Sequence, residues 1–205
     1  MDTMSPSNKT ITLGQRAKIQ ELIDAVLRKS GLPSKFVQQV IMFHGADIAK
    51  EFVELLRERV ELFSNMIIRR AVVDRSRSPW QVLDATGREQ NTEHTVVIDM
   101  PKGKGEKVVV YFFKVGRQLS NEALAEEYAR RDLVPADVYS LAQVNIDDPD
   151  FAAKYPNGVQ WNDKDGKWCW IRFALWPSGR HVSVSRLSTS WNSDEWFAGV
   201  PAPKA

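Results

Sequence analysis

Apolar positions in the first third of the chain repeat with the period of a helix, and those near the C-terminus with the period of a strand. Ile19, Leu22, Ile23, Val26 and Leu27 follow the i, i+3, i+4, i+7, i+8 spacing of one helix face. Gly31 and Pro33 predict the end of that helix, through a left-handed cap and a missing N–H donor. Ser34 is read as the cap of a second helix with the face Phe36, Val37, Val40 and Ile41, ending at His44-Gly45. A third, from Ala46, carries Ile48, Phe52, Leu55, Leu56 and Phe63, with Glu54, Arg57, Glu58 and Glu61 on its opposite side. Residues 12–64 are thus expected to be a helical segment, preceded by a disordered tail over residues 1–11.

The texture changes after Ser64. Met66 to Val73 is rich in β-branched residues but is interrupted by Arg69-Arg70, so strand and helix both remain open there. Ser78-Pro79 predicts a short helix that Thr86-Gly87 closes. Lys107 to Val115 reads as the first clear strand, after a charged loop at Pro101 to Gly105. Ser120 caps a helix to about Arg131, Pro135 opens another, and Asp148-Pro149 begins a last turn. Then Val159–Asn162, Lys167–Trp176 and His181–Leu187 form a meander, joined at Asp163-Lys164-Asp165-Gly166 and Pro177-Ser178-Gly179. The prediction is an α+β fold: an N-terminal helical segment, then an α+β domain over residues 65–200 ending in a small antiparallel β-sheet.

Alternation divides Lys167–Trp176 into two faces. Cys169, Ile171, Phe173 and Leu175 are all apolar and predict the core side. Trp168, Trp170, Arg172, Ala174 and Trp176 make the other, where three indoles surround a guanidinium. Such a face could stack on a base, a sugar or a partner's side chain, at about 1–3 kcal/mol per stacked base. The competing reading is burial beneath a second layer or beneath Trp191, Trp196 and Phe197, since large aromatics commonly belong to cores.

Charge adds little to this picture. Twenty-eight basic and 26 acidic residues leave a formal charge of +2, too balanced for a whole-molecule field toward nucleic acid or membrane. A local basic run, Arg69, Arg70, Arg75 and Arg77, is the candidate for phosphate contact, with a solvated, salt-bridged face as the alternative. The lone Cys169 cannot form an internal disulfide, and no apolar run approaches the roughly 20 residues of a membrane helix. A cytoplasmic location is expected.

No chemical motif stands out. His44, His94 and His181 lack zinc-ligand spacing. Cys169 lies on the apolar strand face, where a thiol is inert. Asp147, Asp148 and Asp150 cluster as a metal site would, but Asp-Pro before a helix is ordinary capping chemistry. The Asp163–Gly166 segment fails as a calcium loop, because Trp161 and Arg172 fall where carboxylates are needed. No cofactor and no metal ligand are predicted.

A longer pattern runs through Ser76-Arg77-Ser78-Pro79, Leu83 to Arg88 and Met100-Pro101-Lys102-Gly103. It continues through Pro135-Ala136-Asp137, Tyr139 to Ala142, Asn157-Gly158 with Trp161, Gly166 to Cys169 and Trp196 to Val200. In these residues the chain, from about Ser64 onward, resembles a family of small uncharacterised bacterial proteins. The resemblance implies one structural unit from about residue 65 and transfers no catalytic residue. The function expected is therefore a non-enzymatic binding module using Trp168, Trp170, Arg172 and Trp176 or a groove between the two segments, its partner left open between a protein and a nucleic acid, with no membrane expected. Nucleic-acid binding through Arg69, Arg70, Arg75 and Arg77 is the alternative, and a metal-dependent hydrolase built on Asp147, Asp148, Asp150 and a histidine the second.

Overall fold

The computed structural model describes residues 11–186 and 190–203. Except for Ile11, the expected disordered tail lies outside the described residues, as does Leu187 at the end of the third meander strand. The chain divides into two compact units, a helical one ending at Leu62 and an α+β one from Phe63 onward.

The helical unit holds α1 (Leu13–Lys29) and all but the last two residues of α2 (Ser34–Ser64). Thr12 caps α1 reciprocally with Gln15, each side chain bonding the other's backbone N–H. Gly31, at φ +66°, makes the turn out of it. The helices expected on either side of His44-Gly45 are one continuous helix. Gly45 is followed by no proline, and an interior glycine costs only about 1 kcal/mol relative to alanine. Good helix formers on both sides outweigh that cost.

In the α+β unit, Asn65 at φ +49° turns the chain into β1 (Met66–Val72), which settles the open Met66–Val73 segment as strand. There follow α3 (Pro79–Ala85), β2 (Glu89–Thr92), α4 (His94–Val97), β3 (Lys107–Lys114) and α5 (Asn121–Ala129). The remainder is β4 (Leu133–Pro135), α6 (Val138–Asp147), α7 (Phe151–Lys154), β5 (Asn157–Asn162), β6 (Trp168–Trp176), β7 (Gly179–Arg186) and β8 (Trp196–Pro201). Caps fix the helix starts: Ser78 on α3, Ser120 on α5 and Asp137 on α6 each accept a backbone N–H of the first turn. Pro135 therefore ends a strand rather than opening α6.

The sheet is neither small nor purely antiparallel. Eight strands join it in the order β1-β3-β8-β5-β6-β7-β2, with β4 also on β8. The β2–β7 and β5–β8 pairs are parallel, and the rest are antiparallel. The predicted meander β5-β6-β7 is its centre, turned at Gly166 (φ +75°). Both faces are covered over part of their area. On one, Ile67, Phe112, Val159, Cys169, Ile171, Phe173 and Val184 pack with residues of α3, α4, α6 and α7. On the other, Tyr111, Phe113 and Phe197 pack with Leu124 and Tyr128 of α5 and with Trp191. Leu175, expected in the first core, is 52% exposed, because the row ends at Phe173 and Leu175 pairs with Arg180 at the hairpin's far end.

Candidate binding face on strand β6

Strand alternation puts Trp168, Trp170, Arg172, Ala174 and Trp176 on the second face of the sheet, as the sequence predicts. Their neighbours across the ladders are Asn162, Gln160 and Gly158 on β5, and Ser185, Ser183, His181 and Gly179 on β7. From Trp168 to Trp176 the row runs about 26 Å at the usual rise per residue. Burial changes along it. Trp168, Trp170 and Arg172 are half-buried, Ala174 is buried, and Trp176 is 36% exposed.

Each large side chain is held by a specific contact. Trp168 donates its indole N–H to Glu122 at the start of α5 (3.1 Å). Trp170 meets Trp191 edge-on at 6.1 Å. Trp191 in turn donates to Gln160 (2.9 Å), whose amide donates to the Asn121 carbonyl (2.7 Å). Glycine is required at Gly158, where a Cβ would lie 2.7 Å from the Ile171 carbonyl oxygen and 3.0 Å from the Trp191 ring. Trp191 and Phe197 thus fold back onto this face, whereas Trp196 packs with the first core against Tyr155.

The centre of the row is a charge pair. Arg172 Nε lies 2.7 Å from Glu195 Oε1, but off the N–H direction, so it is an ion pair without an aligned hydrogen bond. Glu195 is only 3% exposed, and its Oε2 has no hydrogen-bond partner among the described residues. Burial raises its pKa, against the opposing pull of the Arg172 guanidinium and the Asn192 N–H. A buried carboxylate oxygen without a donor costs free energy.

At the far end, Trp176 stacks on His181 with centroids 4.4 Å apart. His181 is buried, and its Nε2 lies 2.7 Å from Ser178 Oγ and 3.5 Å from Glu89 Oε2. A nucleophilic triad needs its carboxylate on the other ring nitrogen. Here serine and glutamate share one, so the group serves as a latch across the turn and β2. The sequence reading missed both it and Glu195. Nothing in the spacing of Glu195 or Glu89 signals that they meet β6 and β7, since the contacts depend on the loop before β8 and on the parallel β2–β7 pair.

The other predicted residues lie elsewhere. Arg69 and Arg70 occupy opposite faces of β1, Arg69 over the Phe151 ring at 5.0 Å. Arg75 donates to Asp137 (2.8 and 3.2 Å), Ser140 (3.0 Å) and the carbonyls of Lys102, Lys104 (3.3 Å) and Gly105 (2.6 Å). Arg77 pairs with Asp74 at 3.2 Å. Asp147 accepts from Gln143, Asp148 caps the end of α6, and Asp150 lies 3.9 Å from Arg180. Among the described residues, no group of three or more His, Cys, Asp and Glu is placed to hold a metal ion. His44 is exposed within α2, and His94 sits 5.5 Å from the Trp80 ring. Cys169 is buried, and burial pushes its thiol up to about 11. No described helix is long and apolar enough to cross a membrane.

The class defined by this geometry is an α+β protein with a mixed eight-stranded sheet, partly covered on both faces. The chain matches no protein-family model, no curated protein and no solved structure.

Proposed function

We propose that the protein is a non-enzymatic binding module whose site is the Trp168–Trp170–Arg172–Trp176 face, and that its ligand is an extended polypeptide segment. The observation that carries this reading is the row itself: partly open indoles on either side of the Arg172–Glu195 pair. Length favours an extended chain, since about 26 Å matches about eight residues of polyproline-type helix. Charge selects among extended chains. Arg172 and Glu195 offset each other, and Glu122 and Glu89 accompany the indoles at the two ends, so a neutral or basic segment is accommodated and a polyanion is repelled. Aromatic-lined surfaces of this kind suit the preformed, low-entropy conformation of proline-rich segments.

A peptide of about eight residues alternating proline and arginine is the probe. It is expected to change the intrinsic tryptophan fluorescence saturably, and the change should vanish in Trp168→Ala/Trp176→Ala. A single-stranded oligo-dT of similar length is expected to give no saturable change. Oligo-dT binding that the double variant abolishes would instead make the face a nucleic-acid site.

A further inference from the structure

Of the three histidines, only His181 is buried. On β7 it stands across the ladders from Ala174 of β6 and Glu89 of β2, so alternation turns its ring to the face that carries Trp176. The ring lies nearly parallel to the Trp176 indole, with 26° between the planes and 4.4 Å between the centroids. Its Nε2 is 2.7 Å from Ser178 Oγ in the turn and 3.5 Å from Glu89 Oε2. One imidazole therefore ties β6, the β6–β7 turn and β2 together at the Trp176 end of the row.

Few charges surround this ring. Glu89 is the nearest, and its side chain is 68% exposed. Arg172 is on the same face, two residues along β6 from Ala174, and is paired with Glu195. Arg88 and Arg180 alternate onto the opposite face, Arg88 over the Phe173 ring at 5.5 Å and Arg180 at 3.9 Å from Asp150. The helices that contact β7 and β6, α4 and α7, pack there too, through the first core. Glu89 is thus the charged group that meets His181 directly.

An imidazole is the side chain that ordinarily changes charge between about pH 5 and 8. A neutral imidazole has one donor and one acceptor nitrogen, whereas the cation has two donors and a full charge. Here that charge would meet the Glu89 carboxylate at the ring edge and the π face of Trp176 above the ring. Both contacts are in place, so proton uptake tightens the stack without moving the backbone. It also offsets Glu89, the acidic group at this end of the face. We infer that His181 is a proton-operated latch: acid locks Trp176 onto β7 and weakens the hold on a basic segment, and higher pH releases both. Its effect on a ligand rests on the binding reading above, while the latch itself rests on the His181, Trp176 and Glu89 geometry alone.

A pH titration of the full chain by NMR, without ligand, tests this between about pH 5 and 8. The Trp176 indole and the His181 ring signals are expected to move together through one transition, and the Trp176 response should vanish in His181→Gln. Glu89→Gln, at an exposed position, should move the shared transition to lower pH, so the test does not depend on the fold tolerating a buried change. A response at Trp80 belongs to His94, 5.5 Å away, and should persist in both variants. A Trp176 signal that stays flat overturns the latch, as does a transition that survives His181→Gln or is unmoved by Glu89→Gln. Repeated with the proline–arginine peptide, affinity should be up to about fivefold lower near pH 5.5 than near pH 8, the scale of one partly exposed ion pair, and equal at both in His181→Gln. Equal affinities in the wild type beside an intact transition would overturn the control of the ligand. Absence of binding at either pH contradicts the β6 binding reading instead, and the ligand-free transition still decides the latch.

Discussion

At the scale of single residues, partial and complete burial separate the tryptophans of one face. Trp191 is 3% exposed, stacked edge-on against Trp170 and Phe197 and bonded to Gln160. Replacing it with alanine should cost about 3–5 kcal/mol, lowering the melting temperature by roughly 10 °C. Trp168→Ala, at a half-open position with one bond to Glu122, should cost about 1 kcal/mol. If the two variants melted together, Trp168 would be core and its role as a ligand platform would end. Glu195 predicts a pH signature. Its folded pKa lies above the ordinary value near 4.5, so the folded state binds the proton more tightly than the unfolded. Stability from this group is therefore greatest below that value and falls as pH rises through the raised one. Urea melts of wild type and Glu195→Gln, compared from about pH 4 to about pH 8, should diverge in that direction. A difference independent of pH would contradict the burial argument. Cys169 should resist a thiol-specific disulfide reagent at pH about 8 until the protein unfolds, its thiol being buried and pushed up to about 11.

At the scale of elements, the loop between α4 and β3 shows why Arg75 is structural. Its guanidinium reaches three carbonyls of that loop and the carboxylate that caps α6, at 14% side-chain exposure. Gly103 has φ +66°, and a Cβ there would run into the Asp137 carboxylate. Arg75→Ala should cost about 3–5 kcal/mol by leaving Asp137 without its cation, and Gly103→Ala about 1–3 kcal/mol by strain and displacement of that carboxylate. Trypsin cleavage after Lys102 and Lys104 in the native protein should accelerate in both variants. A native loop as sensitive as the variants would remove Arg75 from this role.

Which elements the sequence revealed follows from where their signals reside. Helix caps at Ser78 and Ser120, the Gly166 turn and the two faces of β6 are local, and all were legible. β2 reads Glu-Gln-Asn-Thr with no apolar alternation, β4 is three residues ending in proline, and β8 contains Gly199 and Pro201. Each is a strand because of its neighbours and not its own pattern, which is why the sheet appeared small. The candidate face was half legible on the same grounds. Its tryptophans and Arg172 come from one strand, but Glu195, Trp191 and His181's partner Glu89 arrive from elsewhere.

At the scale of the whole molecule, two units carry different kinds of surface. Among the described residues, the α+β unit buries most of its large apolar side chains and leaves a narrow aromatic and acidic row, while the helical unit leaves most of its apolar side chains open. The central claim is that the β6 face takes the ligand. The indole N–H signals of the seven tryptophans, followed by two-dimensional ¹⁵N NMR during titration with the proline–arginine peptide, test it most directly. The account predicts saturable shifts at Trp168, Trp170 and Trp176, and none at Trp80, Trp161 or Trp196, which pack against the other core. Shifts confined to those three, or no shift at any indole, would contradict it.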